Sequence, residues 1–219
     1  MAKEEKNDNK TNIFSKLASF IKKSPDEALG DFLKESMGEY KKLTITGIIT
    51  TIVMTFVCYF YEMIYGLGCP DLLCEGLRYY RNADYATSQA RWMIRYLNTI
   101  AGKNVVIPAL TVTLYCAMIG LSALLICHMM KIDKPLYVCL LTAAMVSFPV
   151  ISHQFAYLYM ALAYSFSFLS VTIGIMLARK RKVLPFIISV LFFLMMMGSY
   201  QSYVGAAAAL AVVMLLYDA

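Results

Sequence analysis

Residues 105–130 read VVIPALTVTLYCAMIGLSALLICHMM, twenty-six residues without a lysine, arginine, aspartate or glutamate. A helix needs about 20 predominantly apolar residues to cross a bilayer. A surface helix of a soluble domain would carry a polar face, and this run has none, so it predicts a membrane span. Outward from it, comparable runs lie at about 43–67, 135–149, 155–178, 183–198 and from Tyr203 to the end at Ala219. The chain of 219 residues is 60% hydrophobic, against about 45–50% for a soluble domain. The fold class expected is all-α and polytopic, with about six transmembrane helices.

Two regions stand outside the spans. Residues 1–42 hold nine lysines and eight acids. They read as a cytosolic tail, either disordered or with a surface helix over 12–23. No short apolar core with a small-residue cleavage site opens the chain, so the first span is expected to act as an uncleaved anchor. The second region, 67–103, is the loop LGCPDLLCEGLRYYRNADYATSQARWMIRYLNTIAGK.

Charge placement sets the orientation. With the N-terminus inside, segments 1–42, 131–134 and 179–182 hold nine, two and four basic residues. The outer segments hold five, all within 67–103. That bias predicts a cytoplasmic N-terminus and an outer first loop. The net charge of +6 is spread over loops and forms no nucleic-acid patch.

Within the loop, residues 84–100 have helical spacing. Tyr85, Gln89, Trp92, Met93, Tyr96, Leu97 and Ile100 share one face. Asp84, Thr87, Ser88, Arg91, Arg95 and Asn98 share the other. The pattern predicts a helix lying in the interfacial plane with Trp92 and Tyr96 at headgroup level. The charged stripe has two readings: a solvated face, or a site. Arginine makes planar two-point contacts to phosphate oxygens. Arg78, Arg81, Arg91 and Arg95 fall within 18 residues, making an anionic lipid headgroup their natural partner. Glu75, Asp84 and Asp71 are the acids of the loop, from which a general base would have to come.

Other residues gather on the same side. Glu62, near the outer end of the first span, is either a functional carboxylate or one that reaches water. His153 and Gln154 lie in the turn after Pro149. Tyr200-Gln201-Ser202-Tyr203 joins the last two spans, where phenols and an amide could stack on and hydrogen-bond a sugar or anchor the interface. Cys69 and Cys74 pair or stay free according to the redox state of their side. No second Cys/His pair lies near them for a zinc site.

The segment GLRYYRNADYATSQARWMIRYLNTIAGKNVVIPAL (76–110), the span containing Gly120-Leu121-Ser122-Ala123, the turn after Phe148-Pro149 and the Tyr200–Tyr203 segment together resemble the bacterial membrane glucosyltransferases of O-antigen and cell-envelope glucosylation. The resemblance covers about 43–219 and implies a C-type glycosyltransferase fold. It implies a multi-pass enzyme of the bacterial plasma membrane that takes a sugar from a polyprenyl-phosphate carrier and gives it to a surface glycan. Glu75 stands where relatives carry an acid before Gly-Leu, Asp84 where they carry one before an aromatic, and Arg91-Trp92 matches their arginine–tryptophan pair. Ala90 replaces the glycine that often precedes that arginine. The implied roles are Asp84 or Glu75 as base, with Arg91, Arg78, Arg81, Arg95, Tyr200 and Gln201 binding phosphate and substrate. No cofactor is fixed, and a divalent metal is compatible with the chemistry. Relatives are about twice as long, so 43–219 is expected to be the N-terminal part of a larger transferase domain. A lipid-linked-sugar flippase or an assembly subunit is the rival from another class. The absence of charges at midspan speaks against translocation.

Overall fold

A computed structural model describes residues 41–65, 91–101 and 107–218. The tail 1–40 and loop residues 66–90 lie outside the described residues. So do Glu75, Arg78, Arg81 and Asp84, together with Cys69 and Cys74.

Eight helices and one 3-10 turn make up the described chain. They are α1 (Lys41–Tyr65), α2 (Met93–Ala101), α3 (Pro108–Met129), α4 (Pro135–Val146), α5 (Pro149–Phe155), α6 (Leu158–Ala178), α7 (Val183–Ser199), the turn Gln201–Tyr203 and α8 (Val204–Asp218). No strand occurs among the described residues. Five helical stretches are long and apolar enough to cross a membrane, and α7 is a shorter apolar helix of 17 residues. The protein is all-α and polytopic, and among the described residues each of the six apolar runs of the sequence is helical, five of them within stretches long enough to cross a membrane.

Three helices begin at a proline: Pro108, Pro135 and Pro149. The first position of a helix has no intrahelical use for an N–H, so proline costs nothing there. Pro149 does more. It forces Phe148 into extended backbone (ψ 127°) and ends α4 two residues earlier. The sequence suggests a short turn over 147–157. Instead the chain resumes as α5 after the break, and Pro135–Phe155 makes one interrupted span of 21 residues. His153 and Gln154 therefore sit on a helix rather than in a loop.

α3 and α6 form the centre, each with 61% of its most apolar window buried, against 22% for α1 and 6% for α8. The outer helices thus present apolar surface to a surrounding solvent of low polarity. α1 meets α3 through small residues, as expected where lipid and protein are equally apolar. Gly47 lies under Leu124, and Thr51 lies over Gly120. The hydroxyls of Thr46, Thr50, Thr51 and Thr55 each donate to the carbonyl four residues back, at 2.7–2.9 Å. That satisfies them without water. A Cβ on Gly120 would stand 2.6 Å from Thr51 Cγ2. Gly120→Ala is expected to cost about 1–3 kcal/mol by overpacking. Thermal unfolding in detergent checks this, and Thr51→Ala in the same chain should recover part of the loss.

At one end of the bundle the C-termini of α3, α6 and α8 are clasped. Arg179 pairs with Asp218 and donates from Nη1 to the Met129 carbonyl at 3.1 Å. The Tyr217 hydroxyl donates to the Met130 carbonyl at 2.8 Å. Lys131 and Arg181 turn the chain there in left-handed backbone (φ 50° each). The opposite end carries α2, α5 and the Gln201–Tyr203 turn.

Candidate functional site: a guanidinium at the rim of an aromatic cavity

α2 is short, and packing rather than length holds it. Ile94 and Leu97 are buried against Met160, Leu162 and Ala163 of α6. The spacing of the sequence puts Trp92, Tyr96 and Leu97 on one apolar face, with the two rings at headgroup level. Trp92 and Tyr96 are 41% and 61% exposed, and Ile94 joins Leu97 against protein. The helix has two apolar strips. One meets α6, and the Trp92–Tyr96 strip is turned outward, its rings edge to face at 6.2 Å.

Trp92 nevertheless touches α7. A Cβ on Gly198 would stand 2.5 Å from the indole Cε2 and Nε1. Gly198→Ala must displace a rigid ring. The expected results are a changed emission from Trp92, the chain's one tryptophan, and a stability loss of about 1–3 kcal/mol. Unchanged emission would contradict this packing.

Arg91, half-buried, immediately precedes this docked segment. Its guanidinium carbon lies 5.0 Å from the centre of the Tyr200 ring, an arrangement that stabilises a cation. Tyr164 holds Tyr200 edge-on at 4.6 Å, and Tyr203 stands 6.1 Å away. The Nε of Arg91 is buried and has no hydrogen-bond partner among the described residues. A buried, unmet donor on a charged group is costly, and an acceptor arriving with a ligand would remove the cost.

Tyr200 also walls a cavity of about 580 Å³, within the size range of small-molecule sites. α3, α4, α5, α6 and α8 supply a mainly apolar lining that includes Ile119, Met145, Phe148 and Phe168. Its polar groups are few. The Tyr115 hydroxyl donates to Gln154 Oε1, and Gln154 Nε2 donates to the Tyr203 hydroxyl at 3.3 Å. Phe155 braces Tyr115 and Tyr59 edge to face at 4.9 and 5.0 Å. The Tyr59 hydroxyl in turn donates to the Val146 carbonyl at 2.7 Å, at the end of α4.

Of the residues singled out in the sequence, Arg91 and Tyr200 come together, and Tyr200 lines the cavity. Arg95 is exposed on α2, one turn further along, and Gln201 is exposed in the turn. Glu62 is buried, 8% exposed, and is the one charged residue so buried among the described residues. His153 packs edge-on to Tyr157 at 6.1 Å. Tyr115 is a site residue that the sequence did not point to. Its only signal is a phenol within an apolar span. Among the described residues no group of three or more histidines, cysteines or acids stands close enough to hold a metal.

These features define a polytopic membrane protein with an apolar cavity, one of whose wall tyrosines carries a cation. Residues 76–219, about two thirds of the chain, match the family Glucosyl transferase GtrII, and the chain belongs to that family. It is a glycosyltransferase. No curated protein and no solved structure matches it.

Proposed function

We propose that this glucosyltransferase moves glucose, or a related hexose, from a polyprenyl-phosphate sugar to a cell-surface glycan such as O-antigen or wall polysaccharide. It would act at the outer face of the bacterial plasma membrane, with the N-terminus cytoplasmic. The observation that carries the reading is Arg91, a cation with an unmet buried donor, beside Tyr200 at the rim of an apolar cavity. An apolar tail joined to an anionic head matches that pairing of surfaces.

Transfer is read as inverting. The acceptor hydroxyl attacks the anomeric carbon and loses its proton to Asp84 or Glu75. The bond from the anomeric carbon to the phosphate oxygen breaks, and the phosphate keeps the electron pair. Arg91, with Arg78 or Arg81, stabilises the charge gained by the leaving phosphate. Arg95 extends the cationic face, and Gln201 is assigned to a sugar hydroxyl beside Tyr200. Holding lipid and glycan together supplies much of the acceleration. The matched family segment starts one residue after Glu75 and contains Asp84 and all four arginines.

The reading is tested by incubating the purified chain in proteoliposomes with polyprenyl-phosphate glucose and isolated envelope glycan. Glucose is expected in the glycan, with polyprenyl phosphate released in equal amount. Donor left intact in the presence of competent acceptor contradicts the reading.

A further inference from the structure

The hydrogen bonds on the cavity wall have a direction. Tyr115 has spent its proton on Gln154 Oε1. That fixes the Gln154 amide with its NH2 toward Tyr203, whose oxygen accepts at 3.3 Å. Tyr203 already receives a proton, so its own is left to donate. Among the described residues no acceptor takes it. Each donation polarises the next group, so the last hydroxyl in the chain is a stronger donor than an isolated phenol. Tyr203 lines the cavity, and its ring stands 6.1 Å from Tyr200, the ring that carries Arg91. Two donors without acceptors, the Tyr203 hydroxyl and Arg91 Nε, therefore flank the same aromatic ring.

Resting on the isoprenoid-phosphate reading above, we propose that Tyr203 donates a hydrogen bond to a phosphate oxygen of the bound donor lipid, and that Tyr115 and Gln154 are positioning residues that hold its hydroxyl in the donating sense. Arg91 supplies charge to the head group and Tyr203 supplies a directed neutral donor. The sugar-bearing phosphate is then held by two donors, each beside Tyr200. The Tyr115 hydroxyl acts on Tyr203 through Gln154, and its ring, which also lines the cavity, would stay packed on Phe155 if the hydroxyl were removed.

The test uses the full chain in nanodiscs of uncharged lipid, with Trp92 emission as the binding signal. Polyprenyl phosphate, polyprenol and inorganic phosphate are titrated separately. The wild type is expected to prefer polyprenyl phosphate to polyprenol and to ignore inorganic phosphate at matched concentration. Tyr203→Phe should weaken polyprenyl phosphate about tenfold or more, as for loss of a hydrogen bond to a charged group. Its affinity for polyprenol should not change. Tyr115→Phe, which frees the amide to turn over and accept the Tyr203 proton, should give a smaller loss of about threefold with the same phosphate specificity.

Equal losses for polyprenol and polyprenyl phosphate would make both tyrosines merely structural and overturn the proposal. So would a Tyr203→Phe chain that binds polyprenyl phosphate like the wild type. Saturation by inorganic phosphate would assign the donors to a free anion instead. If the wild type fails to distinguish the two lipids, the donor reading itself falls and this inference falls with it.

Discussion

Replacing Arg91 by lysine is expected to lower turnover by about 10²–10³-fold, the usual cost of losing one preorganised group that stabilises charge in the transition state. Lysine keeps the formal charge. It loses the planar fork that meets two phosphate oxygens at once, and it loses the flat cation seated 5.0 Å over Tyr200. Steady-state transfer in proteoliposomes measures the effect. The account requires kcat to fall, because the phosphate gains charge only as the glycosidic bond breaks. A variant with a raised KM and an unchanged kcat would make Arg91 a ground-state contact alone. Because Ile94 and Leu97, not Arg91, bury α2 against α6, the variant should insert and fold normally.

The second large effect concerns the base. Asp84→Asn or Glu75→Gln is expected to reduce transfer by about 10²–10⁴-fold, the range for removal of a positioned general base. Both amides keep size and hydrogen bonding while removing the proton acceptor. The two variants separate the candidates, since the residue that is not the base should tolerate its amide within a few-fold. If both variants glucosylate at the wild-type rate, neither is the base. Glu62, the buried charged residue of α1, would then be the next to replace.

The helical passes were readable from the sequence because a run such as 105–130 leaves a helix no polar face. Pro149 was readable as a break. The resumption of helix beyond it was not, because His153 and Gln154 lower the local hydropathy and look like a turn. Within the described residues the helical pattern of the first loop holds over α2, Met93–Ala101, but the burial of Ile94 beside Leu97 was not readable. Periodicity finds apolar strips without saying which meets protein and which meets lipid, and here Ile94 is buried while Trp92 and Tyr96 are exposed.

The site was legible only in part for the same reason. Arg91 and Tyr200 were both named from local chemistry, one in a charged stripe and the other in an aromatic turn. Their juxtaposition depends on α2 docking across α6 and α7, contacts between segments far apart in the chain. Tyr115 is 39 residues from Gln154, and Gln154 is 49 from Tyr203. No local spacing encodes that chain of hydrogen bonds. It arises because α3, α5 and the Gln201–Tyr203 turn bring their polar groups to one apolar cavity, where each has only the others as partners.

The central claim is that the cation at this rim grips the phosphate of an isoprenoid-linked sugar. Its most direct test is the consumption of polyprenyl-phosphate glucose by wild-type and Arg91→Lys chains reconstituted at equal density, followed as release of polyprenyl phosphate. The account predicts rapid release by the wild type and release slowed at least about a hundredfold by the variant. Equal release by both chains would contradict it.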